Sequence, residues 1–190
     1  MNIILIIVCL TFSINSFSQK DSLEHHEIID TSLNLIFNYS EQWRELQTTK
    51  SIKPSTTQNK YTPVIHIESN PNYDTGLDLG PSFVTALIVT KDSNWDTKAV
   101  NNEDDYLKQL KVEMLQLYGH LQFEDEPNTT IIDSKELRSI KASAQMMGYF
   151  FYQEYITFLF EGNYITLVLL YNSKDRRDEL ISLISFLDTE

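Results

Sequence analysis

The densest run of metal-ligating side chains in the sequence is Glu24-His25-His26-Glu27. Two imidazoles and two carboxylates are donors that suit zinc or copper. Adjacent positions share no helix or strand face, and no third ligand stands at a fixed spacing, so the run reads as part of a solvated arm. Asn70, Asn72 and Asp74 match the first, third and fifth positions of a calcium loop, with Asp78 further along. Thr75 then stands where such a loop needs Gly, and Pro81 where its bidentate Glu belongs, so these residues read as turn formers. His66, in a short strand, and His120, after a helix, read as structural histidines. Neither Gly-x-Ser-x-Gly nor His-Glu-x-x-His occurs, and Ser134, Ser139 and Ser143 have no adjacent base. Five glycines scattered singly build no phosphate loop. Glu124-Asp125-Glu126 reads as a solvated acidic loop in a chain with 27 acidic residues. The sequence therefore assigns no catalytic, cofactor-binding or metal-binding residue.

The elements that would position any site must come from a chain of 190 residues, 42% hydrophobic and 22% charged, which is the composition of a folded protein. The formal net charge of -12 sets its surface against a phosphate backbone and excludes nucleic acid as the expected partner. Residues 3–12 form an apolar run followed by Ser16-Phe17-Ser18, which reads as a secretory signal peptide over residues 1–18, cleaved between Ser18 and Gln19. The run is too short for a membrane span, and no later segment of the mature chain supplies one. The only cysteine, Cys9, lies inside this leader, preceded by Val8 rather than the small residue of a lipoprotein site. Export removes it and leaves neither a disulfide framework nor a thiol nucleophile.

Behind the leader, residues 19–30 read as a polar N-terminal arm and residues 31–190 as a single domain. Leu33, Leu35 and Phe37 alternate with Asn34 and Asn38, which predicts a half-buried strand over 32–39, with Trp43 packed under the sheet edge just after it. Residues 47–60 and 70–81 read as loops on either side of a short strand over 63–68. Phe83–Thr90 is apolar at odd and even positions alike, the pattern of a strand with both faces covered. Over 103–118 the period changes. Leu107, Leu110, Met114, Leu117 and Tyr118 fall at helical spacing, Asn102 is the expected N-cap, and Gly119 ends the helix. Ile131 and Ile132 mark a short strand, and Ser139–Gln153 reads as one long strand bent at Gly148. Tyr155–Phe160 and Tyr164–Tyr171 flank a three-residue loop, Glu161-Gly162-Asn163, as a mid-sheet hairpin. Ser173–Leu187 reads as a closing helix capped by Ser173, with Leu180, Ile181, Ile184 and Leu187 on one face. This order gives an α+β fold: an antiparallel β-sheet with helices on both faces, an α/β/α sandwich.

In Leu35-Ile36-Phe37-Asn38-Tyr39 followed by Trp43, the helix over 103–118, the hairpin around Gly162-Asn163-Tyr164, and the closing Ile184-Ser185-Phe186, the chain resembles the PsbP-like superfamily. That superfamily includes the extrinsic protein of photosystem II, a Ran-binding nuclear import factor and many exported bacterial proteins. The resemblance spans most of residues 31–188 and departs at Ser40, where the family carries Pro. It implies the fold more than any activity, because one fold hosts unrelated functions.

The run Tyr149-Phe150-Phe151-Tyr152, with Tyr155, Phe158 and Phe160 nearby, is denser than a core needs; it reads as core packing between sheet and helices, with a partner surface or apolar groove at the sheet edge as the alternative. Together these readings point to an exported, non-catalytic binding or accessory module that acts by protein contact in the periplasm or outside the cell. The rivals are a small hydrolase or metal-dependent enzyme with dispersed site residues, and a carrier of an apolar ligand.

Overall fold

The structure, a computed structural model, describes residues 25–46, 63–69, 85–96, 99–146 and 149–187. In chain order its elements are β1 (His25–Asp30), β2 (Leu35–Ser40), β3 (Trp43–Glu45), β4 (Pro63–Ser69), β5 (Ala86–Asp92), α1 (Glu103–Leu117), β6 (Gln122–Phe123), β7 (Asn128–Ile132), β8 (Lys135–Met146), β9 (Tyr149–Phe160), β10 (Asn163–Tyr171), α2 (Lys174–Ser182) and β11 (Ile184–Phe186). The larger sheet runs β3-β4-β5-β10-β9-β8-β6, with β7 also paired to β8, and a smaller sheet runs β1-β2-β11. Every pairing is antiparallel. The fold is α+β, mostly antiparallel sheet with two helices.

Strand alternation sorts the interior into two cores. Along β10, Ile165, Leu167, Leu169 and Tyr171 enter the first core, while Tyr164 enters the second with Val168 packed against it. Such a strand sits mid-sheet, as its two apolar faces predict, between β5 and β9. On β5, Leu87 and Val89 join the first core, and Ala86, Thr90 and Asp92 on either side of them are also buried. The first core also takes Leu33, Leu35, Phe37, Tyr39 and the buried Trp43, together with Leu180, Ile184 and Phe186. The second is built on Tyr106, Leu107, Leu110 and Met114 of α1 against Ile140 and Tyr155. Side chains of the small sheet thus fill much of the first core, where the sequence suggested cover by a long closing helix.

That closing helix is shorter than expected. Ser173 caps it, its hydroxyl accepting from the Arg176 amide at 3.3 Å, but the helix ends at Ser182. Ile184 and Phe186 then alternate inward as β11, opposite Phe37 and Leu35 of β2. The cap of α1 is as predicted: Asn102 Oδ1 accepts from the Asp105 amide at 2.9 Å, and Glu103, Asp104 and Asp105 sit at the positive end of the helix. Of its five apolar positions, Leu107, Leu110 and Met114 are buried, whereas Leu117 and Tyr118 are exposed. Leu121, in the turn that follows, is buried with the second core instead.

Three further expectations are corrected. Residues 25–30 are not a free arm; they form β1 and pair along their whole length with β2. Residues 139–153 are not one bent strand, because the chain reverses between Met146 and Tyr149 into the β8–β9 hairpin. Gly148 itself lies outside the described residues, as do Ser18, Gln19 and the Asn70–Asp78 loop. The β9–β10 turn holds two residues rather than three, since Phe160 pairs directly with Asn163. Glu161 at φ 48° and Gly162 at φ 75° both lie in the left-handed region, as a type I′ turn requires.

Candidate interaction surface

The structure disperses the residues that could have done chemistry. His25, His26 and Glu27 follow one another on exposed β1, so neighbours point to opposite faces, and His26 stacks on Tyr39 at 5.3 Å between ring centroids. Glu24 lies outside the described residues. Among the described residues no three of His, Cys, Asp and Glu gather closely enough to hold a metal ion. His66 is partly buried, with Nε2 3.8 Å from a Glu68 carboxylate oxygen. Burial lowers its pKa below the ordinary imidazole value, and the negative charge of Glu68 offsets part of that. The same carboxylate accepts from Arg44 Nε at 2.7 Å. His120 is exposed, its ring edge-on to Tyr118. Ser134 occupies a turn at φ 64°, Ser139 is buried against the Thr130 hydroxyl at 2.9 Å, and Ser143 stands opposite Tyr152 on β9. The acidic loop meets α1: Lys108 Nζ is 2.8 Å from a Glu126 oxygen, and Lys111 Nζ donates to the backbone carbonyls of Glu124 and Asp125 at 2.6 and 3.2 Å.

A buried ionic cluster that spacing did not reveal lies between β9, β10, β7 and α2. Glu154 on β9 is fully buried. It accepts from Arg177 Nε at 2.5 Å and Nη2 at 2.8 Å, from the Thr130 hydroxyl at 2.7 Å and from the Tyr171 hydroxyl at 3.2 Å. Burial acts to raise the pKa of this carboxyl, but the hydrogen bonds from Arg177 and Thr130 outweigh it and hold the group below the ordinary glutamate value. The opposite partner responds in kind. The hydrogen bond to Glu154 raises the Arg177 pKa against the opposing effect of its partial burial. Both carboxylate oxygens are thus occupied by protein donors, and the charge of Arg177 is spent on Glu154. Such a group pins α2 to the sheet; it offers no open position to a substrate. The one signal in the sequence was a lone acid in a strand made largely of aromatic and apolar residues.

What the molecule does present is an apolar surface. Val112, Leu115, Leu117 and Tyr118 are all exposed, by 55%, 37%, 61% and 50%, and all belong to the C-terminal half of α1 or its cap. Val112 and Leu115 are neighbours one turn apart on the outer side of the helix. The buried side of α1 is fixed by Leu107, Leu110 and Met114, so the outer side chains are presented from a rigid support. The N-terminal half is tied down by Asp104, which accepts from Arg138 Nε at 2.5 Å and Nη2 at 3.0 Å. Most of the aromatic run packs inside, the use expected first. Tyr152 stacks on Tyr171 and Tyr155 on Phe123, whereas Phe150 is exposed. No helix among the described residues is long and apolar enough to cross a membrane.

No family model and no curated protein matches the chain. Solved structures do. The chain is similar to cyanobacterial PsbP (CyanoP) from Synechocystis sp. PCC 6803 in solution, at 14% identity and a TM-score of 0.53, over 91% of this chain and 98% of that one. A protein from Bacteroides thetaiotaomicron VPI-5482 matches at 10% identity and a TM-score of 0.41, over 86% of this chain and 48% of that one. LpqN of Mycobacterium tuberculosis, described as involved in cell envelope biogenesis, matches at 14% identity and a TM-score of 0.37, over 85% and 84%. With the paired strands, the N-capped α1 and the type I′ hairpin in place, the full-length match to CyanoP shows that this chain has the PsbP-like fold.

Proposed function

We propose that this chain is an exported, non-catalytic accessory module that acts by protein contact in the periplasm or outside the cell, with the C-terminal half of α1 as its contact surface. In this reading the two cores lie on opposite faces of the large sheet, with α1 on one and the small sheet and α2 on the other, a sandwich that holds the outer side of α1 rigid. The observation that carries the reading is the clustering of exposed apolar residues. Four of the nine exposed large hydrophobic side chains among the described residues fall within residues 112–118. Clusters of this kind mark interaction sites, whereas apolar residues exposed singly do not. The commitment of Glu154 and Arg177 to each other supports the non-catalytic part. The leader over residues 1–18 supports export.

The test is the double substitution Val112→Glu with Leu117→Glu, expressed in the native host. Both side chains are exposed, so folding stability should change by no more than about 0.5 kcal/mol at each site. The variant should lose the protein that co-purifies with the wild type. Unchanged co-purification by a variant that melts like the wild type would overturn the assignment of this surface.

A further inference from the structure

Resting on that contact reading, we infer that the partner presents to this surface a protein segment in which Lys or Arg residues alternate with apolar ones. Three observations meet along α1, two in its C-terminal half and one beside its middle. First, the exposed apolar side chains Val112, Leu115 and Tyr118 follow one another at three-residue steps, while Leu117 is exposed in the last turn on the side that continues Leu110 and Met114. They offer a partner nearly two turns of apolar footing. Second, the last turn of α1 holds no basic residue, so the partial negative charge of the helix C-terminus is left without a neighbouring cation on the helix itself. Third, the acidic loop Glu124–Glu126 is held beside the middle of the same helix by two lysines, which offset two of its three carboxylates. Lys108 is paired with Glu126, and Lys111 is bound to the carbonyls of Glu124 and Asp125.

Two lysines against three carboxylates leave one negative charge beside the helix, to which its C-terminus adds, in a chain whose net charge is already -12. A second copy of this chain brings more of the same sign, and an anionic lipid surface is repelled for the same reason. A cationic segment gains on each count. Its ammonium or guanidinium groups meet the helix terminus and the acidic loop, the half-exposed Tyr118 ring offers a face to a cation, and its apolar residues cover Val112 and Leu115.

The experiment is an amide NMR titration of the full-length protein with a synthetic amphipathic peptide of Leu and Lys, and with its Leu and Glu counterpart. The Leu/Lys peptide should shift the amides of residues 112–126 and should bind more weakly as salt is raised. Asp125→Lys should weaken it by about tenfold, while leaving the melting temperature unchanged, because charge at an exposed rim acts on association rather than on folding. Equal binding of the two peptides, shifts confined to another part of the molecule, or no binding of the Leu/Lys peptide would each overturn the inference. Residue-specific crosslinking at Leu117 separates the two claims. An adduct with a native protein there, alongside failure of the Leu/Lys peptide, retains the contact surface and removes only its cationic partner.

Discussion

Substituting Arg177 by Met removes the cation that two hydrogen bonds place on Glu154, while keeping an unbranched side chain of similar reach on α2. The carboxylate would then be fully buried with only the Thr130 and Tyr171 hydroxyls as donors. Breaking a buried pair from one side costs about 3–5 kcal/mol, since the uncompensated charge stays behind. In a chain of this size that corresponds to a fall in melting temperature of about 6–20 °C at neutral pH. The pH dependence gives the sharper test. In the wild type the Glu154 pKa is depressed, so its contribution is fully present above the ordinary glutamate pKa and is lost as pH falls through the lower, folded value. Without Arg177 the strongest opposing interaction is gone and burial, the largest single influence on this carboxyl, raises its pKa. The penalty should therefore be largest at neutral pH and should shrink as acid protonates Glu154 in the variant. Replacing both residues, Glu154→Leu with Arg177→Met, should recover most of the loss, because an apolar pair leaves no buried charge. Thermal melts of the three proteins between pH 4 and 8 measure this. A loss below about 0.5 kcal/mol for Arg177→Met, the range of ordinary surface changes, would refute the reasoning, as would a loss that does not vary with pH.

Three other outcomes are expected. Trp43→Ala should cost about 3–5 kcal/mol in urea unfolding, the usual loss for truncating an aromatic that is buried in the main core. Gly162→Val should destabilise the β9–β10 hairpin by about 1–2 kcal/mol, since a β-branched residue is forced to φ 75°, and a melt shows it directly. Protein recovered from the native host should begin at Gln19 by mass spectrometry, and an intact Met1 on envelope material would contradict cleavage after Ser18.

Periodicity and caps made much of this fold legible. Asn102 and Ser173 cap the two helices as read from sequence, and the doubly apolar β10 sits mid-sheet. The misreadings share a physical cause: where burial does not impose a period, sequence leaves no pattern. Strand β1 is polar and mostly exposed, and its existence depends on pairing with β2 rather than on its own composition. The end of the chain fits two templates at once. Leu180, Ile181 and Ile184 lie at helical spacing, while Ile184-Ser185-Phe186 alternates, and pairing with β2 decides for the strand. The reversal between β8 and β9 escaped because Met146-Met147-Gly148-Tyr149 carries a single glycine and no Asn, Asp or Pro to mark a turn. The candidate surface was hidden by the helical pattern itself. Leu117 and Tyr118 continue the spacing of Leu110 and Met114, yet Leu121 takes the buried place, and only the packing shows which apolar residues are left outside. Glu154 and Arg177 are 23 residues apart, and their meeting depends on where α2 docks.

The central claim, that the exposed apolar C-terminal half of α1 is where this protein meets its partner, is tested most directly by photo-crosslinking in the native host. A photoreactive amino acid is placed singly at Val112, Leu115, Leu117 or Tyr118, and for comparison at Ile131 and Phe150, which are equally exposed apolar positions on other elements. A discrete protein adduct from the four α1 positions, absent from Ile131 and Phe150, is the predicted result. Adducts from Ile131 or Phe150 with none from α1, or none from any of the six, would contradict the account.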